Sequence, residues 1–276
     1  MFANPRLAAA ALASAVLVAA CAATSSRQTT AEALTGILAA DYRPEESRTR
    51  DRSRHPKETL LFFGIRPEMS VLEVWPEPGW YTEVIAPLLR DKGKYYAAVI
   101  AADPESKYIT QRLEKYRQKL ADRPDLYDHV AVVSFPADGG DAVPPASVDM
   151  VVTFRNIHNW MSRGTTAQAF ATMYRALRPG GVLGVVEHRG NPAVAQDPKA
   201  KSGYVNEDYA IKLIEAQGFR LVAKSQVNAN PRDTKDYEQG VWTLPPTYRL
   251  GDKDHDKYAA IGESDRFTLR FVKPLK

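Results

Sequence analysis

Two of the five histidines, His158 and His188, each follow an apolar run and sit among polar side chains. One neighbourhood reads Phe154-Arg155-Asn156-Ile157-His158-Asn159-Trp160, the other Glu187-His188-Arg189. An imidazole titrates near neutral pH, so either ring could take a proton from a hydroxyl or an amine as that atom attacks. Arg155 and Arg189 offer planar cations suited to clamping an acidic substrate. Asn156 and Glu187 place further hydrogen-bonding groups beside them. Purely structural hydrogen bonding is the alternative role for both rings. His158, Glu187 and His188 are also metal-ligand types, but no His-x-x-x-His-type spacing accompanies them, and no metal is expected.

These residues need a frame, and the apolar patterning supplies one. Strand-like runs fall at 71–74, 95–101, 130–134, 148–153, 182–187, 219–225 and 267–272. Helical stretches fall at 29–40, 58–63, 81–90, 106–120, 167–177 and 206–217. The run from Val148 to Thr153 is almost wholly apolar, as in a strand buried on both faces. Alternation of this kind predicts right-handed crossovers and an α/β fold: a seven-stranded, mostly parallel Rossmann-like sheet with helices on both faces. Residues 41–57, dense in arginine and glutamate, read as a surface arm or lid crossing onto the main body. The polar, proline-punctuated segment 226–263 is long enough for a functional loop, and Tyr237, Trp242 and Tyr248 predict that it folds over the rim of the sheet.

Composition narrows the function. The 276 residues carry 37 Lys+Arg against 33 Asp+Glu, a net charge of +4 without a dominant basic block, so nucleic acid is not an expected partner. With 44% hydrophobic and 25% charged residues the chain has a globular mix. A single cysteine excludes a disulfide framework or a cysteine metal cluster within the chain.

Three segments carry a resemblance. They are Val71-Leu72-Glu73-Val74 followed by Gly79-Trp80-Tyr81-Thr82-Glu83; Ser147-Val148-Asp149 running to Phe154-Arg155-Asn156; and Leu177-Arg178-Pro179-Gly180-Gly181 running to Glu187-His188. The chain resembles the class I S-adenosylmethionine-dependent methyltransferases, most closely a secreted branch with a degenerate glycine motif. The resemblance implies that fold over residues 58–276, S-adenosylmethionine as cofactor, and a small-molecule methyl acceptor. It implies a cofactor grip at Glu73, Trp75 and Gly79, with Asp103 on the ribose hydroxyls. It also makes the fourth and fifth strands neighbours, which brings His158, His188, Arg155, Asn156, Glu187 and Arg189 to one rim where ligands of open parallel sheets bind. Tyr204 is a further substrate-side candidate on that rim, or else part of a helix start capped by Asn206.

The sequence departs from the family where the cofactor binds. The family's acid-x-Gly-x-Gly-x-Gly reads here Glu73-Val74-Trp75-Pro76-Glu77-Pro78-Gly79. Pro76 and Pro78 remove backbone donors, and Glu77 would repel a pyrophosphate, so a nucleotide or NAD is disfavoured. A sulfonium is compatible, since the face of Trp75 attracts cations. A rigid plug over a vacated site is the other reading of this loop.

The amino-terminal segment directs the chain elsewhere. Arg6 precedes an apolar, alanine-rich run from Leu7 to Ala20, shorter than a membrane span and ending Val18-Ala19-Ala20-Cys21. This resembles the lipobox of bacterial lipoproteins, which implies a signal peptide over 1–20, lipidation of Cys21, and a tether and arm over 21–57. Ala22 after the cysteine implies sorting to the outer membrane, on the periplasmic side. An ordinary signal peptide is the alternative. Two functions remain: a membrane-tethered methyltransferase, or a non-catalytic ligand-binding lipoprotein that keeps the fold without the cofactor.

Overall fold

The computed structural model describes residues 28–275 except 102 and 104. Cys21 and the apolar run before it lie outside the described residues. Among the described residues no helix is long and apolar enough to cross a membrane.

The described residues begin with α1 over 28–39, then two single turns, α2 (Glu45–Arg48) and α3 (Asp51–Arg54), and α4 (Pro56–Phe63). Pro56 at the first helical position suits α4, and Gly64, at φ +84°, closes it by donating to Leu60 O. The sheet alternation follows: β1 (Ser70–Val74), α5 (Thr82–Leu89), β2 (Lys94–Ile100), α6 (Lys107–Asp122), the turn α7 (Pro124–Tyr127) and β3 (Val130–Phe135). Next come β4 (Val148–Phe154), α8 (Ile157–Arg163), α9 (Thr166–Ala176), β5 (Leu177–His188), α10 (Glu207–Glu215), β6 (Arg220–Ser225), α11 (His255–Ile261) and β7 (Arg266–Val272).

These strands form one seven-stranded sheet in the order β3-β2-β1-β4-β5-β7-β6. Only β7 runs antiparallel to its neighbours, and it is inserted between β5 and β6. The apolar runs of β1 and β4 lie at the centre, where both faces are covered, which is why they lack alternation. One apolar cluster packs α4, α5 and α6 on one face; the other packs α8, α9 and α10 on the opposite face.

The architecture agrees with the sequence expectation, and the differences have physical causes. Residues 41–57 do cross onto the main body, as a packed strap rather than a solvated arm. Arg43 is buried with Nη1 and Nη2 on the Asp51 carboxylate at 2.6 and 2.9 Å. The indole of Trp80 donates to Ser47 O at 3.1 Å, and Tyr42 Oη donates to Glu83 O at 2.9 Å. The buried carboxyl of Glu83 takes Ser47 Oγ at 3.1 Å and Lys119, so the polar strap answers polar groups on α5 rather than water. The fifth strand is longer than expected because the Arg-Pro-Gly-Gly turn, with Gly180 at φ +77°, lets Leu177 pair with Val148 across a bulge.

Candidate functional site

The carboxyl ends of β1, β2, β4 and β5 open on two hollows divided by one side chain. The β1–α5 connection sets the division. Trp75 adopts φ +53° and donates its backbone N–H to Ala98 O at 2.8 Å, which swings the indole over the strand ends. The ring meets Trp160 edge-on at 5.6 Å, and the Arg163 guanidinium lies over it at 5.0 Å. On one side is an apolar hollow of about 220 Å³ walled by Ile100, Ile109, Phe135 and Trp160, with Asp103 at its edge. On the other is a polar hollow of about 220 Å³ lined by Glu73, Glu77, Arg54, Arg155, Asn156, His158 and His188.

Glu77 does not project into the approach path as its position in the sequence suggests. Its side chain is buried, and Oε1 accepts the Ile100 N–H at 3.0 Å beyond the end of β2. Arg112 donates to its carbonyl. Burial pushes the Glu77 carboxyl up. Gly79, at φ +94°, faces α6: a Cβ there would stand 3.0 Å from the Tyr116 ring. Its positive φ and its close packing against α6 each call for glycine.

Glu73 ends a buried hydrogen-bond chain. Tyr95 Oη donates to Glu73 Oε2 at 2.5 Å, and Thr82 links Tyr95 to Tyr116 at 3.0 Å on each side. Burial pushes the Glu73 carboxyl up to about 8, so it is neutral at pH 7. The folded state therefore takes up a proton between about 4.5, the ordinary value, and about 8. Its stabilising neutral form is fully present below that window and is lost as pH rises through it. A Glu73→Gln variant keeps the neutral shape without the titration. Urea denaturation at pH 5, 7 and 9 is expected to show the variant gaining stability relative to the parent as pH rises; a constant difference would refute the assignment.

On the β4–β5 side, Arg155 at φ +61° turns the chain sharply out of β4, its N–H on Val186 O at 2.7 Å. The turn starts α8, whose Ile157, Trp160 and Met161 point into the core. This spacing of i, i+3, i+4 is a helix signal, less conspicuous in the sequence than the polar residues between. The helix places His158 above Glu187. Glu187 is fully buried at the end of β5. Its Oε1 accepts from His158 Nδ1 at 3.1 Å and His188 N at 2.8 Å, and its Oε2 accepts from His158 N at 3.3 Å. When Nδ1 is the nitrogen that donates to the carboxyl oxygen, Nε2 is the one left to accept a proton.

His188 lies 5.4 Å from His158, ring centre to ring centre, with Nδ1 at 2.5 Å from Ser264 Oγ. Burial, then the neighbouring His158 and Arg155, push its imidazole well below the ordinary range, so it is neutral and weakly basic. His158, Glu187 and His188 bring three metal-ligand atoms within 4.8 Å of one another. Arg155 and Arg266 beside His188 oppose a dication there.

Asn156 lines the polar hollow but commits its amide to Val74 O and Thr153 Oγ1, each at 3.0 Å, which ties β4 to β1. Asp103 lines the apolar hollow and caps Glu105 N at 3.1 Å. Two of the candidates lie elsewhere. Arg189 turns to Glu207 and Asp265 at 3.4 and 3.7 Å, partners that the outward end of β5 offers it. Tyr204 is buried with Oη on both oxygens of Asp233, at 2.8 and 3.0 Å, so it anchors the 226–263 segment instead of facing ligand. Asn206 stands at the start of α10 without a side-chain cap bond, its amide on Val194 O.

That segment does fold over the rim. Trp242, in a short 3₁₀ turn over Gly240–Thr243, packs edge-on to His158 at 6.0 Å. Its end supplies Glu263, which binds Arg50 Nε at 2.7 Å, Arg54 Nε at 3.2 Å and Arg266 Nη2 at 2.6 Å. Neither Glu263 nor Ser264 stood out in the sequence, since each is a lone polar residue with no motif around it.

A profile of the family described as methyltransferase domain matches residues 77–185. No curated protein matches the chain in sequence. Among solved structures, a SAM-dependent methyltransferase from Aquifex aeolicus aligns at TM-score 0.54 and 15% identity, over 82% of this chain and 93% of its own. The cyclase SpnF aligns at 0.55 and 16%, over 81% of each chain. A glycopeptide N-methyltransferase complexed with S-adenosyl-L-homocysteine aligns at 0.52 and 16%, over 80% and 90%. These likenesses define the class I methyltransferase fold. The matched domain, residues 77–185, carries the description of a methyltransferase domain, and S-adenosylmethionine is the cofactor that the sequence resemblance implies.

The residues at the divided site suit that cofactor. Trp75 Nε1 and Glu77 Oε2 are buried without partners, one donor and one acceptor on the loop where the fold seats its ligand. The apolar hollow suits an adenine ring. Each hollow alone is smaller than the roughly 300–1,000 Å³ of a small-molecule pocket, and the two joined across Trp75 fall within that range.

Proposed function

We propose that this chain is an exported methyltransferase, tethered through a lipidated Cys21 to the outer membrane and facing the periplasm, that methylates a small molecule. The observation that carries the catalytic part is the His158–Glu187 pair: His158 lines the polar hollow, and Glu187 holds one of its ring nitrogens. When bound, S-adenosylmethionine supplies an electrophilic methyl group. Everything else falls to the chain's own residues. Glu187 fixes the His158 tautomer, and His158 Nε2 takes the proton from the attacking hydroxyl or amine. His188, weakly basic and held by Ser264, is a hydrogen-bonding wall rather than a second base. Trp242 packs against the His158 ring and limits its movement. The amino-terminal run and the cysteine at its end support the export and the anchor.

Trp75 favours a second reading, a binding lipoprotein whose indole closes the cofactor path. Calorimetric titration separates the two. The methyltransferase reading expects S-adenosylmethionine to bind the purified protein. It also expects Trp75→Ala to weaken S-adenosylmethionine by roughly 2- to 30-fold, the range for losing a cation–π contact, with a smaller loss for the uncharged thioether of S-adenosylhomocysteine. No heat and no thermal shift with either compound leaves the lipoprotein reading standing. A tighter-binding Trp75→Ala variant makes the indole a barrier.

A further inference from the structure

The polar hollow holds more cationic charge than the chain itself balances. Arg50, Arg54 and Arg266 share one carboxylate, Glu263. Arg155, from the end of β4, lines the same hollow, and its guanidinium makes no hydrogen bond or ion pair among the described residues. The other acids do not answer it. Burial pushes Glu73 and Glu77 towards their neutral forms, and Glu187 is committed to His158. Arg54 is further occupied by the Trp80 ring, 4.7 Å below its guanidinium.

An arginine in this position is costly unless something binds it. Burial, and then the like charge of Arg266, push the Arg155 guanidinium down to about 10, so it stays charged at neutral pH in a setting that disfavours the charge. His158 lines the same hollow as Arg155, and its free nitrogen is the proposed base.

We propose that the molecule accepted in this hollow is a small organic anion, bearing a carboxylate or a phosphate that docks on Arg155 while its nucleophilic atom faces His158. A guanidinium receives either group through two parallel N–H donors. The assignment of that anion as methyl acceptor rests on the methyltransferase reading; the anion site itself does not. A free carboxylate on the cofactor has the same chemistry, so the experiment must tell the two sources apart.

The probes are citrate and inorganic phosphate, titrated calorimetrically into the full chain at fixed ionic strength, with and without saturating S-adenosylhomocysteine. Citrate or phosphate is expected to bind the parent, with S-adenosylhomocysteine leaving the affinity unchanged or higher. Arg155→Met is expected to weaken it at least about tenfold, a loss in the range of a charge-assisted hydrogen bond, and Arg189→Met to leave it unchanged. Arg155→Met also removes an unbalanced, half-buried charge, so its melting temperature without ligand is expected to rise, which guards against a trivial loss of fold. No binding by the parent, or equal binding by Arg155→Met, overturns the proposal. Displacement of the probe by S-adenosylhomocysteine overturns it too, assigning the arginine to the cofactor's carboxylate. Anion binding without any binding of S-adenosylmethionine or S-adenosylhomocysteine upholds the anion site and rejects the methyltransferase reading.

Discussion

Replacing His158 with alanine is expected to lower methyl transfer by about 10²–10⁴-fold, the range for removing a general base, while calorimetry shows S-adenosylmethionine binding as before. The measurement is formation of S-adenosylhomocysteine in the presence of a small-molecule extract of the cell envelope. The expectation follows from the ring's two nitrogens. Nδ1 is held by Glu187, so Nε2 is left to accept a proton. Glu187→Gln tests the same arrangement through a positioning residue. An amide can turn its NH₂ towards Nδ1 and favour the other tautomer, so the rate falls and its pH profile shifts without loss of binding. His188→Ala is expected to cost less, because a ring pushed well below its ordinary range is a poor base at neutral pH. If His188→Ala were the slower variant, or His158→Ala retained full activity, the roles assigned to the two rings would fall.

The difference between the two histidines marks where the sequence stops being informative. Both rings, Glu187 and Arg155 were recognisable from the residues that end two apolar runs, because strand ends in an open sheet point to one rim and the pattern of strands needs only local composition to read. Which ring is basic depends on what lies beyond hydrogen-bond reach along the chain. Ser264 and the arginines around Glu263 come from segments more than 70 residues away from His188, and no motif announces them. The same applies to Tyr204 and Arg189, whose types suggested ligand binding but whose partners, Asp233, Glu207 and Asp265, arrive only on folding. Trp75 is the opposite case. Its substitution for a glycine was plain in the loop, and what needed the structure was the direction of its ring, set by φ +53° and by Trp160. The strap shows why charge density alone misleads: Arg43 and Arg54 look like a solvated surface in sequence, and both are buried because Asp51 and Glu263 meet them.

Glu263 is the residue whose loss is expected to damage the molecule most. It is nearly buried, and three arginines converge on it, Arg50 and Arg54 from the strap and Arg266 from β7. Burial alone would raise its carboxyl, but Arg266, Arg54 and Arg50 overcome that and hold it well below the ordinary carboxylate range. Glu263→Ala leaves those guanidiniums facing one another, with Arg155 behind them. Removing one partner of a buried pair costs roughly 3–5 kcal/mol, which for a chain of this size corresponds to a fall in melting temperature on the order of 10 °C. The pH dependence has a definite sign. A depressed carboxyl contributes its stability above the ordinary range near 4.5 and loses it as pH falls towards the folded value, so the parent should weaken steeply in acid. Glu263→Gln should start lower and change less. The decisive variant is the double one. If mutual repulsion among the arginines is the cause, adding Arg155→Met to Glu263→Ala restores part of the lost stability, more than Arg155→Met adds to the parent. Urea denaturation of the four proteins reads this coupling directly. Strict additivity would mean that Arg155 does not feel the cluster, and that the excess positive charge assigned to the hollow is not there.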